Sequence, residues 1–130
     1  MASREFADYL VELLAPLGPV TAKRMFGGFG LYLDGLMFAI IVDDSLYLKA
    51  DAENRAAYAA RDMVPFVYER QGKPVAMAYH ALPGEALDDR EDLLALARLA
   101  FAAALRGRRP PRPQPPKSAA PRKAGSGRRG

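Results

Sequence analysis

Apolar residues open the chain at helical spacing: Phe6, Leu10, Leu13, Leu14 and Leu17 fall on one face of a 3.6-residue period. Ser3 stands where a helix cap belongs, and Glu5 and Asp8 lie in or near the first turn, where the helix dipole favours negative charge. Pro16, Gly18 and Pro19 end that helix. From Met25 the pattern changes to short apolar runs separated by turn residues. Met25 to Leu33 reads as one strand, Leu36 to Val42 as a second and Leu46 to Lys49 as a third. Asp34-Gly35, between two apolar runs, is a strong hairpin signal, and Asp43-Asp44 marks the next turn. The second strand, LMFAIIV, is apolar throughout and is expected to be central and covered on both faces. The third alternates, with Leu46 and Leu48 on one face and Tyr47 and Lys49 on the other.

Asp51 is placed to cap a second, alanine-rich helix through about Arg61, with Tyr58 as its one large anchor. Phe66 to Arg70 and Val75 to His80 predict a second hairpin around Gln71-Gly72-Lys73. Asp88 and Glu91 have the spacing of a capping box ahead of a last helix with a wide apolar face, from Leu93 to Leu105. The element order is therefore α-β-β-β-α-β-β-α. The fold class is α+β, an antiparallel sheet of about five strands with helices on it.

Charge divides the chain in a way its net value of +4 conceals. Residues 1–105 carry 10 Lys/Arg against 15 Asp/Glu; residues 106–130 carry 9 Lys/Arg and no acid. The first stretch is the expected folded domain. The second contains six prolines and, apart from these, only three alanines as apolar residues. It cannot bury enough surface to offset its ordering entropy and is expected to be a disordered basic tail. With no cysteine, disulfides and thiolate chemistry are excluded, which fits a cytoplasmic protein. No run approaches the ~18–20 apolar residues of a membrane span, and Glu5, Asp8 and Glu12 argue against a secretory signal.

Catalytic chemistry is sparse. Gly27, Gly28 and Gly30 do not make GxGxxG, and a hairpin follows them where a phosphate cradle needs a helix; a closely approached or bulged strand explains them better. His80 is the lone histidine, with no nucleophile near it in sequence. The acidic pair Asp43-Asp44 suits a turn, and Asp88, Asp89, Glu91 and Asp92 suit a helix start, so no cofactor or metal site is expected. Tyr32, Tyr47, Tyr68 and Tyr79 fall on predicted strands. Such rings could stack bases, but cross-strand packing accounts for them, and the acidic charge of the domain opposes nucleic acid there. In the tail, Arg106, Arg108, Arg109, Arg112, Lys117, Arg122, Lys123, Arg128 and Arg129 could neutralise phosphates, giving weak, salt-sensitive DNA or RNA affinity blind to sequence.

The stretch RMFGGFGLYLDGLMFAIIVDDSLYLKAD (24–51) resembles the signature of the TfoX N-terminal domain family, the module of the TfoX/Sxy competence regulators. PFVYERQGKPVAMAYHALPGEALDD (65–89) is similar to that family's second block. The resemblance spans roughly residues 3–105, with Asp34, Gly35, Phe38, Tyr47, Leu48, Lys49, Phe66 and Tyr79 on its recurring positions. It implies a bacterial cytoplasmic regulator that promotes competence-gene transcription alongside a cAMP-responsive activator, and it carries over no catalytic residues. In place of the helical C-terminal domain of the longer regulators stands the basic Pro/Arg-rich stretch.

The function expected is that of a non-enzymatic regulatory or adaptor domain in competence-type transcriptional regulation. Its partner would be a protein, such as a transcription regulator, bound through a sheet edge or a surface containing Tyr32, Tyr47, Lys49 and Tyr68. Homodimerisation is a further expectation. The alternative is a small enzyme or ligand-binding protein with a site where Arg24, Gly27 and His80 meet.

Overall fold

The structure, a computed structural model, describes residues 3–25 and 27–108. The elements are α1 (Arg4–Leu13), a 3-10 turn (Ala15–Leu17), β1 (Thr21–Met25), β2 (Gly28–Leu33), β3 (Leu36–Val42) and β4 (Ser45–Lys49), then α2 (Arg55–Ala60), β5 (Pro65–Arg70), β6 (Lys73–Ala81), a second 3-10 segment (Gly84–Asp88) and α3 (Arg90–Gly107). All strands join one antiparallel sheet in the order β1-β2-β3-β4-β6-β5. The α+β class and the antiparallel sheet agree with the sequence pattern. The sheet has six strands, because what reads as one strand from Met25 to Leu33 is the end of β1, a turn, and β2. β1 escapes detection because TAKRM lacks a clean alternation, and its burial is correspondingly poor.

Local chemistry accounts for the boundaries. Ser3 Oγ accepts from the Phe6 N–H at 3.1 Å and caps α1. The far end of α1 is capped from outside, since the Arg90 guanidinium donates to the carbonyls of Glu12 and Leu13, each at 3.0 Å. The turns Asp34-Gly35, Asp43-Asp44 and Gln71-Gly72 all hold positive φ at both positions. That is the mirror-image turn whose twist matches a two-residue hairpin. The cap of α3 is Asp89, whose Oδ1 accepts from the Asp92 N–H at 3.2 Å; Asp88, the cap expected from the sequence, lies one residue earlier and belongs to the preceding 3-10 segment.

One face of the sheet is closed by helices. Registered partners Phe29 and Ile41, Ile41 and Leu46, Leu31 and Ala39, Ala39 and Leu48 join the same buried core as Ala7, Leu10 and Leu14 of α1 and Leu93, Leu96, Ala97 and Ala100 of α3. A bulge between Leu31 and Tyr32 inserts Phe38 as an extra residue in β3. Phe38 is fully buried and meets Phe101 of α3 edge-on, at 6.2 Å between ring centroids.

A polar knot binds the end of β4 to α2 and α3. Asn54, only 3% exposed, accepts from the Asp51 N–H at 2.8 Å and donates to the carbonyls of Lys49 and Leu99, each at 3.1 Å. The Tyr58 hydroxyl donates to the same Lys49 carbonyl at 3.0 Å, and burial pushes that phenol up from its ordinary pKa. Arg106 of α3 forks onto Asp51 at 2.7 and 2.9 Å. A second fork, Arg61 to Asp92 at 2.7 and 2.8 Å, ties the end of α2 to the start of α3.

The knot predicts an acid-sensitive limb of stability. The Arg106 fork, with the amides of Asn54 and Glu53, draws the Asp51 carboxyl down to about 2. A carboxylate with a lowered folded-state pKa contributes stability that is complete above its unfolded value near ~4 and fades as pH falls towards ~2. Asp51→Asn should therefore be destabilising in urea melts at pH 7. The gap from the parent should close steadily between about pH 4 and pH 2.

Candidate functional site

Among the described residues, the other face of the sheet is open. Strand register runs a continuous row across it, Lys23 beside Gly30, Gly30 beside Ile40, Ile40 beside Tyr47, and Tyr47 beside Ala81. A second row holds Thr21, Tyr32 and Met37, then Lys49 and Tyr79. Tyr68 faces Val75 on the β5–β6 hairpin. Ile40 and Tyr79 are each 5% exposed yet lie outside the helix-side core, so this face has an apolar floor of its own.

That floor shapes a groove of about 460 Å³ lined chiefly by Met25, Met37, Ile40, Phe66, Tyr68 and Met77. Residues from both ends of the strand order line one hollow, which requires the sheet to curl around its open face. Gly30 lies beneath two of these methionines. A β-carbon there would lie 2.8 Å from Met37 Sδ and 2.9 Å from Met25 Sδ, so the absent side chain lets two thioethers fold inward. Gly28 has another role: its β-carbon would collide with the Ile41 carbonyl oxygen, so glycine permits β2 and β3 to approach there. Close approach thus explains both strand glycines, while Gly27, at φ +78°, makes the β1–β2 turn.

Tyr32, Tyr47, Lys49 and Tyr68, singled out from the sequence, all lie on this open face. Lys23 stands 4.9 Å from the Tyr32 ring centroid and Lys49 stands 5.2 Å from that of Tyr79. Phe66 packs against Tyr47 at 4.8 Å and stacks near Tyr68 at 6.4 Å. Burial raises the Tyr79 phenol above its ordinary pKa, with the nearby Tyr32 adding to the effect.

Charge on this face is the reverse of the domain's total. Among residues of β1 to β6 the only acid is Glu69, and strand alternation turns it away from the side of Tyr68. Lys23 and Lys49 stand on the open face, and Arg70 and Lys73 follow on the same side of the β5–β6 hairpin. The acids occupy helices and turns. Overall acidity, used against this surface in reading the sequence, does not describe it.

Other expectations fare differently. Arg106 belongs to α3 and is committed to Asp51, so it is part of the folded body. It looked like tail because the apolar face of the helix ends at Leu105. Arg108 follows α3 in an extended conformation and is exposed. Arg109, Arg112, Lys117, Arg122, Lys123, Arg128 and Arg129 lie outside the described residues. Arg24, Gly27 and His80 do not form a site. Arg24 is over the Phe29 ring at 4.7 Å on β1, whereas His80 sits on β6, beyond β2, β3 and β4. His80 is buried on the helix side, with Nδ1 3.2 Å from the Met63 carbonyl and its ring 5.6 Å from that of Tyr58. No three His, Asp or Glu side chains converge as a metal site requires, among the described residues.

Asp51, Asn54 and Arg106, which hold Lys49 in place, were not singled out together from the sequence. The Asp-x-x-Asn spacing of 51 and 54 was the available signal, a capping pattern ahead of an alanine-rich segment. No helix of the described residues is long and apolar enough to cross a membrane.

Comparison with known proteins bears on the same region. Protein Sxy of Escherichia coli (strain K12) is 30% identical over 96 residues, a match covering 73% of this chain and 46% of Sxy. The chain thus corresponds to about half the length of that relative. The family model described as the TfoX N-terminal domain matches residues 12–104, from the last residues of α1 almost to the end of α3. It takes in every strand of the sheet and both of its faces, and on that match the chain belongs to the TfoX N-terminal domain family.

Proposed function

We propose that this chain is a non-enzymatic regulatory adaptor that acts in competence-type control of transcription by binding a protein partner on the open face of its sheet. The observation that carries the reading is the groove. An unclosed apolar floor with aromatic walls, on a domain whose helices pack the other sheet face over β2 to β4, is the kind of surface that marks an interaction site. Membership of a family named for competence regulators supports the regulatory role. The absence of catalysis is part of the proposal; it is supported by His80 being spent on a backbone carbonyl and a tyrosine ring. The basic residues from Arg108 onward would add non-specific phosphate affinity and keep the adaptor near nucleic acid.

The test is capture of partners from a nuclease-treated lysate of the source cells by the full chain. Three forms are compared: parent, a form with the basic residues from Arg108 onward changed to Gln, and Tyr68→Glu with Met77→Glu. Both substituted side chains in the last form are over a third exposed, so its fold should survive. A specific protein should be retained by the first two and lost from the third. Retention of DNA without nuclease should fall only in the second. Capture of no protein by the parent would refute the reading.

A further inference from the structure

The groove discriminates between kinds of occupant. Its floor is aliphatic and thioether, from Met25, Met37, Ile40 and Met77, a lining that adapts to irregular apolar side chains. On the same face of the sheet stand Lys23, Lys49, Arg70 and Lys73, and none of the four is ion-paired among the described residues. An apolar trough with a cationic frame on a domain that is otherwise acidic calls for an occupant with one apolar face and negative flanks.

We infer that the open face receives an acidic amphipathic helix of the partner protein, its apolar stripe in the Met-lined trough and its carboxylates towards Lys23, Lys49, Arg70 and Lys73. The inference rests on the protein-binding reading above and names the chemistry of the partner. A helix supplies anchors at i, i+3, i+4 and i+7 along one stripe, which suits a trough running across several strands. Rim charges of opposite sign set orientation and speed encounter.

Two other occupants fit worse. Single-stranded nucleic acid needs open ring faces for its bases. Tyr79 is buried, Lys23 and Lys49 lie over the rings of Tyr32 and Tyr79, and Phe66 is wedged between Tyr47 and Tyr68. A second copy of this chain would have to offer an acidic amphipathic helix. α1 is one, with Glu5, Asp8 and Glu12, but its Ala7, Leu10 and Leu14 neighbours are already committed to the helix-side core.

The experiment uses the full chain with its basic residues from Arg108 onward changed to Gln, so that tail charge does not attract the probe. Fluorescence anisotropy follows an 18-residue synthetic helix with leucine on one stripe and glutamate elsewhere. Its lysine counterpart and a 15-nucleotide oligo-dT serve as competitors. The glutamate helix should bind saturably and at least 10-fold more tightly than either. Lys23→Glu with Arg70→Glu should weaken it at least 10-fold, and Tyr68→Glu with Met77→Glu should abolish it. Amide shifts in an NMR titration should centre on Gly30, Met37 and Ile40.

Equal binding of the glutamate and lysine helices, tighter binding of oligo-dT, or no saturable binding overturns the inference. The two levels separate cleanly. A protein captured from lysate in a Tyr68- and Met77-dependent way, together with no glutamate-helix binding, sinks this inference and leaves the adaptor reading standing. Peptide binding without any captured protein sinks the adaptor reading, and the inference that rests on it falls too, although the groove keeps its preference for acidic helices.

Discussion

Asn54→Ala should lower the unfolding free energy by about 2–4 kcal/mol, a large share of what holds a small domain together. The residue is 3% exposed, and its side chain makes one accepted and two donated hydrogen bonds. Truncation leaves the Asp51 N–H without that acceptor and removes a donor from the Lys49 and Leu99 carbonyls. The Lys49 carbonyl keeps the Tyr58 hydroxyl, which limits the loss. Asn54→Asp is the informative companion. It preserves an acceptor for the Asp51 amide but turns an oxygen towards two carbonyls, so it should be no better than alanine. Urea denaturation should show a lower midpoint with an unchanged slope for both. A loss below about 0.5 kcal/mol for alanine would mean that the knot contributes little.

Gly28→Ala should be about as damaging, at roughly 3 kcal/mol or more, equivalent to a fall in Tm of roughly 12–24 °C. The added methyl meets backbone, not a side chain that could swing aside: the Ile41 carbonyl oxygen blocks it. Relief requires β2 and β3 to part beside Phe29, which is 1% exposed and pairs with Ile41. Gly27→Ala gives the contrast. Nothing lies within 4 Å of its would-be β-carbon, and only its φ of +78° is at stake. It should cost about 1 kcal/mol. Differential scanning calorimetry of the pair separates collision from conformational strain. Equal Tm losses would show that β2 and β3 are not held at the spacing described.

Much of the architecture was legible because local chemistry and tertiary packing ask for the same residues. Asp34-Gly35 and Gln71-Gly72 mark turns in sequence and adopt positive φ in the fold. LMFAIIV reads as a central strand covered on both faces; β3 is central, flanked by β2 and β4, but helices cover only one of its faces, and Met37 and Ile40 line the groove on the other. The misses come from residues whose role is set at long range. β1 is an edge strand with little burial, so its sequence carries no alternation to detect. Arg106 reads as the first residue of a basic tail, until Asp51, 55 positions away, claims it. Asn54 looks like a helix-start residue, and its bond to Leu99 spans 45 positions. The tyrosines and Lys49 were visible as a candidate surface, but the cationic character of that face was hidden by acids elsewhere in the domain.

The helix that closes the core leaves the ribosome after every strand of the sheet. α3 ends at residue 107, whereas β3, the strand it covers, is complete at residue 42. At a synthesis rate of roughly 5–20 residues per second, the nascent sheet waits on the order of 3–13 seconds with Phe38 and Ile41 not yet covered by α3. During that interval both sheet faces are apolar, and α3 then closes one of them. Co-translational chaperones should therefore meet this protein at the helix-side face first, and a transcript truncated before α3 should yield aggregate in place of a smaller domain.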